Sequence, residues 1–533
     1  MPNMSPNRYD AIVVGAGMAG LQALHKLNSL NLTVKVVERL PDVGGTWLTN
    51  NYPGAMSDTE SYMYRFFWDK EDLYTYPWPN RYLTQPEILA YIRHVVAKHG
   101  MRPHIQFNTE VTGANWDDNA KEWRVNTSTG EQFTGRYFFP CLGILSKPVF
   151  PDIPGIDGFQ GALTHSSQWD PELNLSGKRV GVIGCGATGI QIITAIAPQV
   201  ASLISFQRTP QYSVPAGNAP ISSQQRAWIN VHYDELIDQI WESMAGFGFI
   251  ENPRPTMSLS AEEREYIFEM LWQYGSGMHF MMGGFGDFVI DPVANEEVCK
   301  FIRKKISQMV KDPEKARNLM PTEFYARRPV CDSGYYDACN RDNVQIVNCK
   351  DTPIAAITAS GVRMSDGKEY ELDALIIATG FDAFDGGFSS FPIRGRDGKL
   401  LMDCWRERPK TYLGIGCADF PNMFMLTGPL SPFGNIPAII HGTSWPIFEL
   451  IDKNEQREDN HVVEATHEAQ SEWVELCDKC SECNLIQKTK SWLNSGNVKG
   501  EPGATRLYLG GFKGYKAFVS GMIENDYRGF RFM

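Results

Sequence analysis

Two periods of apolar residues run along this chain. From Tyr9 the run Asp-Ala-Ile-Val-Val is short, apolar and partly β-branched and stops at Gly15; apolar residues then recur at helical spacing over 21–30. This pattern predicts a strand, a tight turn and a helix. Residues 32–38 supply the next strand, so 9–38 reads as one βαβ unit of about thirty residues. The same order returns later, with a strand over 178–184, a helix over 189–196 and a strand over 201–207. Beyond Ser222, to about Lys315, the chain is rich in Glu, Gln, Lys and Met. Ile229, Leu236, Ile237, Ile240 and Met244 fall there at helical intervals, which predicts a helical insertion. Residues 372–380 form a further buried strand ending in Thr-Gly, of the kind that closes a dinucleotide domain and returns the chain to its first sheet. The uncharged stretch 420–448 holds Pro421, Pro429, Pro432, Pro437 and Pro446, which argue against a membrane-spanning helix and for a buried, loop-rich interior.

Composition narrows the classes. At 533 residues the chain is long enough for three or four folded units at about 150 residues each, which excludes a small binding module. A net charge of −12 leaves no basic surplus for a nucleic-acid backbone or an anionic membrane, so neither partner is expected. Eleven cysteines are too few for a disulfide scaffold and odd in number. With a polar N-terminus lacking a signal-peptide core, they predict a cytoplasmic protein. Cys477, Cys480 and Cys483 have cluster-like spacing but lack a fourth member on a segment that reads as helix over 471–493, so no metal site is assigned.

The turns carry the chemistry. Gly15, Gly17 and Gly20, and again Gly184, Gly186 and Gly189, fit the glycine-rich fingerprint that turns the chain, admits a pyrophosphate to backbone amides and lets helix and strand pack closely. The charges placed one strand beyond the two loops are opposite in sign. Glu38 stands where a carboxylate accepts from both hydroxyls of an adenosine ribose, which suits FAD or NAD. Arg208 stands at the matching place after the second loop, where a guanidinium grips a 2′-phosphate and a carboxylate would repel it, which suits NADPH. Together they describe a flavoprotein that takes hydride from NADPH. The expected fold is therefore α/β, with two Rossmann-like dinucleotide-binding domains for FAD and NADP and a helical insertion in the second. The expected boundaries are 1–145 with 378–533 for the FAD-binding domain, 146–221 with 325–377 for the NADP-binding domain, and 222–324 for the insertion.

Longer motifs lie between these loops. Gly44-Gly45-Thr46-Trp47 is followed by Tyr52-Pro53-Gly54 and Asp58, and Phe159, Gly161, His165, Trp169 and Asp170 precede the second loop. Here the chain resembles the type I Baeyer–Villiger monooxygenases, the family of cyclohexanone monooxygenase. The likeness continues through Tyr325-Ala-Arg327-Arg328-Pro329, Asp332 to Tyr336, Ala378-Thr379-Gly380-Phe381-Asp382, Gly428 to Asn435 and Ser491-Trp492.

That resemblance implies NADPH- and O2-dependent conversion of a ketone to an ester or lactone through a C4a-peroxide of FAD. A fixed cation would lower the adduct's pKa and stabilise the negative tetrahedral species. Arg328 matches that cation, and Asp58 would hold it. Arg327 would face the adenine-side phosphate beside Arg208. Thr46, Trp47 and Tyr64 are implied on the FAD side, and Thr188, Gln191, Thr209 and Trp492 on the NADP side. Leu430, Ser431 and Phe433 are expected to line the substrate pocket, and His165 to couple domain rotation to cofactor position. One segment departs from the family, 494–501, where Lys499 and Glu501 replace a proline and a lysine, which makes the loop less stiff. A nitrogen- or sulfur-hydroxylating flavin monooxygenase is the alternative. The expected partners are a small ketone and O2, for a monomer or small homo-oligomer.

Overall fold

The computed structural model describes residues 7–458, 461–496, 498 and 504–533. Strand Arg8–Val14, helix Met18–Ser29 and strand Val34–Val37 form the first βαβ unit, with Ala11 opposite Val34 and Val14 opposite Val37 in parallel register. Gln132–Pro140 lies parallel on the other side of Arg8–Val14 and continues into an antiparallel meander with Glu122–Thr127 and Val111–Asp117. Ile105–Gln106 and Ile393–Arg394 complete the two edges of this seven-stranded sheet. The strands are nearly continuous apolar runs because their faces are covered: Ala11, Ile12 and Val13 are fully buried.

A second, wholly parallel sheet has the order Val344–Asn348, Ser202–Gln207, Arg179–Ile183, Ala374–Ile377, Ala162–His165. One expectation changes here. The strand ending in Thr379-Gly380 does not lie in the first sheet but between Arg179–Ile183 and Ala162–His165 in the second. An apolar run buried on both faces fits either sheet equally, so its pattern alone does not choose. Only beyond Gly380 does the chain return, adding Ile393–Arg394 beside Val111–Asp117.

The chain passes between the sheets over 141–161 and again over 378–392. These stretches meet in a short antiparallel ladder, Lys147–Pro148 against Phe381–Asp382.

Between Ser213–Pro215 and Val330–Asp332 the structure is helical, with helices including Ser223–Val231, Tyr233–Glu242, Ala261–Tyr274 and Pro292–Met309. Two of them open on capping boxes readable in the sequence, Ser222 with Gln225 and Ser260 with Glu263. Residues 420–435 are loop, as expected, but helix Ile436–Glu455 then runs through Pro446. Pro437 sits in its first turn, where a missing N–H costs nothing. Near the second proline, hydroxyls take up carbonyls of the preceding turn: Thr443 Oγ1 donates to Ile439 O at 2.8 Å and Ser444 Oγ to His441 O at 2.7 Å. Among the described residues no helix is long and apolar enough to cross a membrane. The cysteine-bearing helix spans His467–Ser481 and stops before Cys483, shorter than the expected 471–493.

Candidate active site

Both glycine loops open onto one cavity of about 2150 Å³ between the sheets. A single small-molecule site occupies roughly 300–1,000 Å³, so this space has room for two dinucleotides. Gly15 adopts φ +101° and Gly184 φ +112°, which only glycine enters without strain. The third glycines do the packing: a Cβ on Gly20 would lie 1.9 Å from Gly15 O, and one on Gly189 2.3 Å from Gly184 O. Gly15, Gly17, Gly184 and Gly186 line the cavity, and a Cβ on Gly186 would meet nothing within 4 Å. Space for a close phosphate is thus present where each helix begins.

Glu38 ends strand Val34–Val37 inside the same cavity. Its Oε2 accepts from Ala16 N at 2.6 Å and its Oε1 from Leu40 N at 2.8 Å. Burial raises its pKa, and those two amides pull it part of the way back. At the other loop Arg208 is exposed to the cavity and Thr209 lies beside it. Arg327 is half-buried and ion-paired to Glu323, with Nε lacking a partner. Burial and, further down the order of causes, the charge of Arg208 lower its pKa. Two guanidinium groups sharing one wall, one with an unmet N–H, suit a phosphate. The residues therefore fit FAD at the first loop and NADP at the second.

A further cation, Arg328, lines the same cavity. Arg328 meets Asp58 through both terminal nitrogens, Nη2 at 2.6 Å from Oδ1, with the side chains only 27% and 21% exposed. Burial disfavours its charge, yet Asp58 more than compensates and raises the guanidinium pKa. The pair joins residues 270 positions apart in the chain. Arg327 and Arg328 thus part at a bend in the chain, one to Glu323 and the Arg208 side, the other to Asp58. Tyr64 borders the pair; its hydroxyl accepts from Trp47 Nε1 at 3.0 Å and burial raises its pKa. Thr46 lines the cavity at the start of the short helix that carries Trp47.

The Tyr52-Pro53-Gly54 motif has a visible task, docking on the helix after the second loop. Tyr52 OH donates to Gln191 Oε1 at 2.9 Å and stands 3.5 Å from Thr188 Oγ1, while Gln191 Nε2 donates to Met56 O at 3.2 Å. Burial pushes the Tyr52 hydroxyl up to about 12, so it stays a donor. Thr188 and Gln191 line the cavity from that helix.

His165 is no general base for the cavity. It is 1% exposed, wedged between Phe150 and Phe381 of the two connecting stretches at ring separations of 5.1 and 5.6 Å. Its Nδ1 accepts from Ser167 N at 3.2 Å, and burial lowers its pKa.

Trp492 and Phe433 line the cavity, Trp492 stacking on Phe384 at 5.8 Å. Leu430 and Ser431 do not line it. Leu430 is fully buried in the core behind the wall, at φ +65°, and its carbonyl accepts from Trp473 Nε1 at 3.3 Å. Ser431 turns inward to donate to Gly428 O at 2.7 Å. A proline on either side of Leu430-Ser431 makes a tight loop, and only from Phe433 onward does this segment reach the cavity. Gly434, Ile436, Ile439, Ile440 and Phe247 supply that wall instead. Helical spacing of 436, 439 and 440 was the one sequence signal for three of them; Phe247 and Glu323 left none. Of the departing loop, Asn497, Lys499, Gly500 and Glu501 lie outside the described residues. Among the described residues no group of three or more His, Cys, Asp or Glu side chains is arranged to hold a metal ion.

The sequence and fold are similar to those of known proteins. Residues 9–212 match the family model described as flavin-binding monooxygenase-like. The chain is 44% identical to the phenazine N-monooxygenase of Lysobacter antibioticus, over 98% of this chain and 96% of that one. It is also 44% identical to a Baeyer–Villiger monooxygenase of Pseudooceanicola batsensis, over 97% and 95%. The chain belongs to the Baeyer–Villiger monooxygenase family. Its fold superposes on the crystal structure of cyclohexanone monooxygenase from Rhodococcus sp. Phi1 bound to NADP+ with a TM-score of 0.97, at 45% identity and 99% coverage of both chains. As a member of this family the chain is a flavin-binding monooxygenase, and another structural neighbour, OTEMO, was solved in complex with FAD and NADP.

Proposed function

We propose that this Baeyer–Villiger monooxygenase inserts one oxygen atom of O2 beside the carbonyl of a small ketone, giving an ester or lactone. The observation that carries the reading is Arg328, a guanidinium fixed by Asp58 on the wall of the cavity onto which both glycine loops open. FAD, which Gly15, Gly17 and Glu38 would hold, would supply the redox chemistry, with NADPH as the source of hydride and O2 as the source of oxygen. The chain's own residues do the rest. Arg328 donates hydrogen bonds toward the substrate carbonyl oxygen as negative charge develops there, in a site where such donors are worth more than in water. Asp58 keeps the guanidinium charged and aimed. Phe433, Phe247 and Ile440 exclude water, which would otherwise divert the oxygen. Arg208 and Arg327 hold the 2′-phosphate, and Trp492 contacts the nicotinamide end.

The same reading assigns 1–145 with 378–533 to FAD, 146–221 with 325–377 to NADP and 222–324 to the insertion. It also makes the protein cytoplasmic, a monomer or small homo-oligomer, in keeping with eleven unpaired thiols. A second reading, oxidation of a ring nitrogen, is favoured by the phenazine N-monooxygenase relative. Incubation with NADPH, O2 and matched panels of ketones and nitrogen heteroaromatics, with products identified by mass, separates the two. Esters from ketones support the proposal; N-oxides alone overturn it.

A further inference from the structure

Away from the cavity, Arg65 is buried and Arg226 half-buried, and neither has a carboxylate ion-pair partner among the described residues. Arg65 is 0% exposed. Its Nε donates to Ser61 O at 3.1 Å, its guanidinium lies over the rings of Tyr76 and Tyr91 at 5.2 and 4.8 Å, and neither Nη has a partner. Arg226, from helix Ser223–Val231 at the start of the insertion, reaches the same segment. Its Nη2 donates to Tyr74 O at 2.8 Å and to Leu73 O and Tyr76 O at 3.2 Å each, while its Nη1 is buried and unpartnered. The guanidinium sits 4.2 Å from the Trp78 ring, whose indole N–H is also unmet.

The two charges act on each other. Burial and then Arg65 push Arg226 down to about 10. Asp72 is the carboxylate that acts on Arg65, and it is engaged elsewhere, by Lys98 Nζ at 2.8 Å and His94 Nε2 at 3.0 Å. Four buried N–H-bearing nitrogens, two on Arg65, one on Arg226 and one on Trp78, therefore lack a partner beside two cations to which no carboxylate among the described residues is bonded, against one unmet acceptor on the helix of Arg226, Asn230 Oδ1. Buried donors in native proteins find partners, and buried charges are paired. A water molecule accepts two hydrogen bonds and brings no charge, whereas a halide accepts from several donors and neutralises one cation.

We propose that Arg65 and Arg226 form a binding site for one small inorganic anion of the chloride class, which ties the first-domain segment 61–78 to the insertion. The probe is bromide. Crystals of the holoenzyme soaked in sodium bromide are expected to give an anomalous peak in contact with both guanidinium groups, and Arg226→Gln is expected to lose it. In solution the unfolding midpoint of the holoenzyme should stand about 2 °C higher in chloride than in gluconate of equal ionic strength, and the difference should vanish in Arg226→Gln. The salt comparison on the unaltered protein needs no variant to fold. A missing peak, a peak undiminished in the variant, or equal midpoints in the two salts each overturns the proposal.

Discussion

Replacing Arg328 by alanine removes the guanidinium that Asp58 fixes on the cavity wall, and the structure sets the size of the loss. A unit charge about 4 Å from a developing oxyanion contributes about 4 kcal/mol at an effective dielectric of about 20. The pair retains some solvent access, 27% and 21% of its side chains. Asp58 on the far side also cancels part of the field, so about 2–3 kcal/mol is the realistic share. That converts to a fall of roughly 30- to 150-fold in the product-forming rate, reaching the low end of the roughly 100- to 1000-fold loss that follows removal of a single oxyanion donor. Hydride transfer from NADPH does not draw on this charge and should change by less than about threefold. The assay has two halves. Anaerobic stopped-flow follows bleaching of the flavin band by NADPH, and aerobic turnover with mass spectrometry gives ester formed and hydrogen peroxide released per NADPH. Arg328→Ala should bleach normally, release peroxide and form almost no ester. Asp58→Asn, which keeps the shape but removes the pin, should fall between the two. Unchanged ester per NADPH in Arg328→Ala would refute the role.

Arg208→Ala should raise the KM for NADPH by about 10-fold or more and leave that for NADH nearly unchanged, measured by initial rates with each nucleotide. Gly20→Ala, whose Cβ would lie 1.9 Å from Gly15 O, should yield protein lacking flavin absorbance after purification. Burial pushes His441 down to about 4, so its ring is neutral when folded and takes a proton on unfolding below its ordinary pKa of 6.5. Its contribution to stability is therefore present above pH 6.5 and is lost as pH falls toward 4, by up to about 3 kcal/mol. In denaturant titrations at stepped pH, His441→Gln should flatten that slope; an unchanged slope rejects the assignment.

The sequence was most readable where one local pattern had one physical solution. Both βαβ units lie within two or three residues of where apolar spacing put them, because strand, glycine turn and helix are all encoded within about thirty positions. The Asp58–Arg328 pair was implied by family resemblance and by no local signal, since 270 residues separate the partners. Long-range choices were hidden. The strand Ala374–Ile377 has the same apolar face for either sheet, and its place is set by register against Arg179–Ile183. Leu430 and Ser431 resembled pocket residues because the motif that holds them is near the pocket, but a loop between prolines turns them into the core. Arg65 and Arg226 gave no warning at all, because an isolated arginine in sequence reads as a surface residue.

The two-residue ladder of Lys147–Pro148 and Phe381–Asp382 has a mechanical meaning. Both covalent routes between the halves run side by side through it, so any swing of one half against the other would turn about this one pin, like the leaves of a door. His165, clasped by Phe150 and Phe381, sits where such a swing would be felt first. A swing of that kind would vary the distance between the pyrophosphate-binding turns and would strain the Tyr52–Gln191 and Asp58–Arg328 contacts that join the halves, so those contacts set how far nicotinamide could be moved without leaving the protein.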